Sequence, residues 1–174
     1  MLSWVQCWDV ASRSLGRRCA FAVEGQEFEL ASPVRSFAAF KGQKNFTGEY
    51  WAAAISRSLV GYESWVEPDS AMALDFDPSV VALASQPFHL VWSDGERERG
   101  HTPDYFARLV DGTGVVVGVR PRDLVDEDTA EVFAFTARVR AGLAGRARRG
   151  PYGLARITAA QDAVSVLHGV LGRP

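Results

Sequence analysis

Three carboxylates in this chain are spaced as a cation site would need them. Asp104 follows Pro103 at the start of an apolar stretch. Beyond an Asp111-Gly112 turn, the run Gly114 to Val119 supplies a second apolar strand and ends on Arg120. Glu63 and Glu67 stand four positions apart and share a face if one helix runs through both. An acid leading into one strand and a group on its antiparallel partner lie a few ångströms apart across the ladder, and a helix acid can complete the cluster. Mg²⁺ takes hard oxygen ligands and keeps several waters, so two or three converging acids hold it. The chemistry such an ion supports is in-line attack of water on a phosphodiester, with the attacking and leaving oxygens both stabilised. Each residue also has a plainer reading. Pro-Asp before a strand is an ordinary turn, paired helix acids are usually solvated, and His101 is a packing or surface histidine. Gln86-Pro87 reads as a bulge or strand start. Trp4, Trp8, Trp51, Trp65 and Trp92 are core or interface residues before they are a stacking platform for bases.

The elements that must carry these residues follow from pattern. Cys19 to Val23 alternates, breaks at Glu24-Gly25-Gln26 and resumes at Phe28-Glu29-Leu30, a hairpin signal. Residues 31–50 lack periodicity and read as loop. The apolar positions from Tyr62 to Leu74 predict a helix, and Pro68 sets its start near Glu67, with the proline as the first helical residue. Asp75-Phe76-Asp77-Pro78 closes it with a turn. Val80–Ala84 and Phe88–Trp92 read as strands. His101–Val110 and Gly114–Val119 read as a hairpin joined at Asp111-Gly112. Asp128-Thr129-Ala130-Glu131 begins a second helix that runs to about Ala141. After Gly142 the text becomes small and basic, a linker, followed by a weakly amphipathic helix over about 158–171. The expected fold class is α/β, a mixed central sheet flanked by helices. The division is a domain over 1–141 and a basic linker with a weak helix over 142–174.

At 174 residues and 47% apolar, the chain suits one domain with a sizeable core. Its net charge is -2. From Arg138 onward there are seven Arg and one acid, Asp162, so that segment carries +6 and the remainder -8. A basic segment on an acidic body is compatible with DNA contact, and equally with a solvated tail. Cys7 and Cys19 are too few for a disulfide framework and lack metal-site spacing. No leader-like or membrane-spanning stretch stands out, so a soluble, cytoplasmic protein without membrane association is expected.

The stretch from His101 begins like the active site of metal-dependent nucleases of the PD-(D/E)xK type, which expect an acid, any residue and a lysine on the second strand, where this chain reads Gly118-Val119-Arg120. The run "VGYESWVEPDSAMALDFDPSVVALASQPFHLVW" followed by "HTPDYFARLVDGTGVVV", with "SPVRSFAAFKGQKNFTGEYW" upstream, closely resembles the TnsA-like endonuclease subunit of heteromeric transposases, above all its actinobacterial form. The likeness covers roughly 32–121. It implies a restriction-endonuclease-like core and nicking of DNA at transposon ends, beside a DDE-type transposase subunit and an AAA-type ATPase regulator. It also implies Mg²⁺, for which Mn²⁺ substitutes, bound by Glu67 and Asp104, with Glu63 as a neighbouring family position and with His101 and Gln86 in supporting roles.

Two departures from that pattern bear on chemistry. The second-strand acid position is Gly118, which supplies no ligand and weakens a central strand. The basic position is Arg120, which stays protonated and presents a different donor geometry from lysine. Three readings therefore stand: a working endonuclease in which Glu63 replaces the missing acid and Arg120 stabilises the scissile phosphate, a catalytically inactive relative that retains partner or DNA binding, and an unrelated α/β interaction domain.

Overall fold

A computed structural model describes residues 3–9, 14–19, 27–37, 41–43, 46–93, 95–121, 158–160 and 163–171. The first strands are β1 (Ser3–Asp9), β2 (Ser14–Cys19), β3 (Gly48–Ala52) and β4 (Ser58–Tyr62). Helix α1 (Glu67–Asp75) separates these from β5 (Val80–Ser85), β6 (Phe88–Ser93), β7 (Glu98–His101), β8 (Tyr105–Leu109) and β9 (Gly114–Pro121). Two further strands are β10 (Thr158–Ala160) and β11 (Ala163–Leu171). They form a four-stranded sheet ordered β2-β1-β6-β7, a five-stranded sheet ordered β10-β11-β9-β8-β5, and the β3-β4 hairpin. The strands and helix of an α/β chain are present, with strands dominant. Every pairing among the described residues is antiparallel, so the expected mixed strand direction has no counterpart there. Among these residues no helix is long and apolar enough to cross a membrane.

The five-stranded sheet is covered on both faces. Successive strand side chains alternate, so Leu83, Tyr105, Ala107, Val115, Val117 and Val119 gather in one core with Ala71 of α1 and with Ala52 and Val60 of the β3-β4 hairpin. A second aromatic group closes around Phe28, whose ring lies 4.8 Å from Phe88 and 5.5 Å from Phe106. Beside it, Arg108 and Glu29 form a buried two-point ion pair at 3.0 and 2.7 Å, and Arg108 also donates to the Gly112 carbonyl. The expected strand at Phe28–Leu30 is instead a single 3-10 turn. Packing of Phe28 against Phe88 and Phe106 outweighs the local alternation there.

β5 to β8 are one long hairpin bent in the middle. β5 pairs β8 in the five-stranded sheet, and β6 pairs β7 in the four-stranded sheet. The chain crosses between sheets at Gln86-Pro87 on one arm and at Thr102-Pro103-Asp104 on the other. The expected single strand from His101 to Val110 is therefore broken by residues 102–104. Registers on the two sides do not match. From Ser85 to Leu90 the first arm advances five residues, while its partner advances four, from His101 to Tyr105. The extra residue is a bulge, which bends a strand and re-aims its side chains. Gln86, at φ 44, takes the left-handed backbone that accommodates it.

Helix α1 begins at Glu67 with Pro68 in its first turn, as the proline predicts, and Tyr62 belongs to β4. The helix expected over about 158–171 is corrected: 158–160 and 163–171 are strands, and β11 pairs β9 from Pro121 to Gly114. Val164, Val166 and Val170 favour extended backbone, Gly169 is a poor helix residue, and the unpaired edge of β9 offers a ladder. The basic linker at 142–157 and the helix expected over 128–141 lie outside the described residues.

The last residue of α1 ties the helix to the β3-β4 hairpin. Asp75 accepts hydrogen bonds from the backbone N–H of Ala54 and Ile55 at 3.0 and 3.1 Å, and from the Tyr50 hydroxyl at 2.9 Å. Asp75→Ala removes a buried carboxylate that accepts from three part-buried donors. It is expected to destabilise the protein by about 3 kcal/mol in urea unfolding, against roughly 1 kcal/mol for Tyr50→Phe, which removes one neutral donor.

Candidate active site

The bend in the hairpin places Asp104. Its backbone joins the sheet on both sides: its N–H donates to the Val117 carbonyl at 3.0 Å, and its carbonyl accepts from the Gln86 N–H at 2.9 Å. Its carboxylate turns onto β9 and accepts from the Val119 N–H at 2.6 Å. Continuing the β8-β9 register past Tyr105↔Val117 sets Asp104 opposite Gly118. On its other side Gly118 pairs with Val166 of β11, so it is a central-strand glycine.

Glu67 comes from the start of α1. Its carboxylate accepts from the Ser64 hydroxyl at 2.6 Å and from the Glu63 N–H at 2.8 Å, which fixes the short loop between β4 and the helix. Both acids are buried, Glu67 at 3% exposure and Asp104 at 7%. Burial, then the Glu67 charge, pushes Asp104 up to about 7, against the pull of the Val119 N–H, Arg120 and Arg35. Glu67 is raised too, by burial first, while Ser64 and the Glu63 N–H oppose the rise. These two predicted ligands are thus brought into one electrostatic unit.

The other predicted residues fall at different distances from that unit. Arg120 is exposed, donates to the neighbouring Val119 carbonyl at 3.1 Å, and lowers both acids through its charge. The Glu63 carboxylate pairs with the Arg35 guanidinium at 2.8 Å, and its charge raises Glu67. Among the described residues no three His, Cys, Asp or Glu side chains cluster as a metal-ligand group. His101 ends β7 opposite Leu90. His89 is lowered by burial and then by the Arg35 charge, and its Nδ1 lies 2.7 Å from the Thr102 hydroxyl. Gln86 is 2% exposed and touches the site directly, through its N–H to Asp104 and its Oε1, 3.4 Å from Arg35 Nε. Of the tryptophans, Trp92 is buried in β6. Trp65, between the two glutamates in sequence, is exposed and stacks on Phe46 at 3.5 Å.

Sequence reasoning missed Arg35 and Tyr105. Arg35 lies in a stretch read as featureless loop, and only folding shows that it spans Gln86 and Glu63. Tyr105 is fully buried and its hydroxyl has no hydrogen-bond partner among the described residues. Burial, and then the charges of Glu67 and Asp104, raise it far above the ordinary phenol range. Its adjacency to Asp104, within the stretch that carries the resemblance, was a signal that could have found it.

The chain matches no protein-family model, no curated protein and no solved structure.

An acid raised in the folded state keeps a proton that the unfolded chain has released. Its contribution is therefore most favourable below the ordinary carboxyl pKa and is lost as pH rises to about 7. Urea unfolding should show wild-type stability falling from pH 5 to pH 8 by a few kcal/mol, on the order of 1.4 kcal/mol for each tenfold gain in proton affinity on folding. Asp104→Asn should remove most of that slope and be the more stable protein at pH 8. A slope unchanged by the substitution would contradict the placement of Asp104.

Proposed function

We propose that this chain is a metal-dependent DNA endonuclease, the TnsA-like subunit of a heteromeric transposase, which nicks DNA at transposon ends on a restriction-endonuclease-like core. The observation that carries the reading is the pair of buried acids, Glu67 from a helix start and Asp104 from a hairpin, with the Arg120 charge beside them. Glu67 and Asp104 lie within the motifs that carry the sequence resemblance, and Arg120 stands at its basic position, where the wider nuclease class has lysine. The DDE-type transposase and the AAA-type ATPase regulator are the partners that the same resemblance implies.

The residues present fit a hard divalent cation. Both carboxylates are raised by burial first, Asp104 next by the Glu67 charge and Glu67 by that of Glu63, and a bound cation would offset that cost. Glu67 and Asp104 would hold Mg²⁺, or Mn²⁺ in its place. When bound, the ion supplies charge stabilisation to the attacking and leaving oxygens of phosphodiester hydrolysis. The protein's own groups do the rest. The Ser64 hydroxyl and the Glu63 N–H orient the Glu67 carboxylate, and the Val119 N–H orients that of Asp104. The fixed positive charge of Arg120 faces the negative charge that develops on the phosphate. With a net charge of -2, affinity for DNA depends on salt and on delivery by the transposase partner.

A second reading is favoured by two observations: Gly118 lies where Asp104 would meet another acid, and Glu63, the nearest replacement, is engaged by Arg35. On that reading the chain keeps the fold and partner binding while catalysis is weak or lost. The purified chain, incubated with its partner transposase, supercoiled plasmid bearing the transposon ends and Mg²⁺ or Mn²⁺, separates the cases. End-specific nicking should fall by at least about a hundredfold in Asp104→Ala, the upper end for losing even an outer-shell partner of a metal ligand. Gly118→Asp should increase nicking if the missing acid limits the rate. Nicking by the Asp104→Ala protein equal to wild type would eliminate the endonuclease reading. No nicking by wild type, with the partner bound and nicking gained by Gly118→Asp, would establish the silent one.

A further inference from the structure

Gln86 carries two penalties that a smaller residue would avoid. Its φ of 44 lies in the left-handed region, which glycine adopts freely and a side chain resists. Its side chain is almost fully buried, and Nε2 has no hydrogen-bond partner among the described residues. A buried donor left unmatched is uncommon in folded proteins and calls for an explanation. The orientation of the amide is set by chemistry: the guanidinium of Arg35 can only donate, so the atom facing it at 3.4 Å is Oε1, and Nε2 is left over. Backbone strain concentrates where surrounding structure holds a residue for function. Here the surroundings do hold it. The Gln86 N–H is fixed by the Asp104 carbonyl, and the Gln86 carbonyl accepts from the Val34 N–H at 3.0 Å.

Arg35 is the second part of the arrangement. It lies one residue after Val34, so the same backbone contact that locks Gln86 delivers the guanidinium. That group spans Gln86 Oε1 and the Glu63 carboxylate, and its charge reaches Asp104. The Arg35 guanidinium beside the Gln86 amide, with its charge reaching Asp104, pairs a planar cation with a neutral N–H donor, the two kinds of group that phosphate oxygens accept from.

We propose that Gln86 and Arg35 form a subsite for a non-bridging oxygen of a phosphate, with Gln86 Nε2 as the donor and Arg35 as the counter-charge. The identification of that phosphate as the scissile one in DNA rests on the endonuclease reading above; the subsite itself does not. The bulge at Gln86 aims the amide, and the strained backbone is retained because glycine, which would relax it, has no donor.

The test uses the full chain with Mg²⁺ present and inorganic phosphate as probe, read by thermal melting, together with the nicking assay. Phosphate should raise the wild-type Tm in a dose-dependent way. Gln86→Gly should melt higher than wild type without phosphate, by about 2–4 °C, should lose the phosphate-dependent rise, and should nick about a hundredfold more slowly, as for loss of one oxyanion donor. Gln86→Asn keeps a residue tolerant of left-handed backbone but withdraws the amide by one methylene. It should fold like wild type and also lose the phosphate response. The subsite is overturned if phosphate does not stabilise wild type, if Gln86→Gly melts no higher than wild type, or if both variants respond to phosphate as wild type does. A phosphate response that depends on Gln86 in a protein that never nicks would retain the subsite and remove the endonuclease reading alone.

Discussion

The hydrogen bond from the Gln86 N–H to the Asp104 carbonyl holds the two arms of a bent hairpin together at the point where each leaves one sheet for another. Everything proposed for the site depends on that joint. An unbent ladder would run β5 straight into β6 and β8 straight back from β7, with Asp104 as one more alternating strand residue. The bulge breaks this alternation. It lets the Asp104 backbone bond to β9 and to Gln86 while its carboxylate turns to the Val119 N–H. The acid is thus held by three hydrogen bonds, none from a flexible side chain, and α1 needs only to bring Glu67 alongside.

That proximity carries an electrostatic cost. Two buried carboxylates near each other favour protonation, and the chain offsets this only in part, with the Arg120 and Arg35 charges and with the hydroxyl and N–H groups on Glu67. A fold selected for stability alone would replace one acid by an amide or an apolar side chain. The presence of both, beside the donors of Gln86 and Tyr105 that have no partner among the described residues, concentrates in one place the features that protein interiors otherwise avoid, as sites with a chemical task do.

Much of this was legible in the sequence where a local rule operates. Pro68 fixed the start of α1, the Asp111-Gly112 pair marked the β8-β9 turn where Gly112 has a φ of 86, and Gln86-Pro87 signalled an interrupted strand. Glu67, Asp104 and Arg120 were located by spacing and resemblance, and the burial of the two acids and the influence of the Arg120 charge on both follow from the structure. What was not legible depends on long-range partners. Phe28 became a 3-10 turn because two distant rings cover it, and 163–171 became a strand because β9 had an edge to fill. Arg35 has no periodic signal and acquires meaning only when Gln86 bonds to the residue before it. The break at 102–104 was hidden because Thr102-Pro103-Asp104 reads equally as the first turn of a strand.

The pairing of β9 with β11 has a consequence for how the chain reaches its native state. β8 and β9 are joined by a four-residue connection and can pair early, whereas β11 begins 42 positions after β9 ends, at Ala163 against Pro121. Closing that longer loop is slow relative to a hairpin. Until it closes, β9 is an edge, and its Val115-Val116-Val117 run is the type of apolar segment that recruits other chains into intermolecular sheets. The final strand therefore acts as a guard on the β9 edge. A nascent chain released or cleaved before Ala163 would carry both proposed ligand acids and yet present an adhesive border, so solubility during synthesis, more than the chemistry of the acids, sets how much of the C-terminal segment can be trimmed.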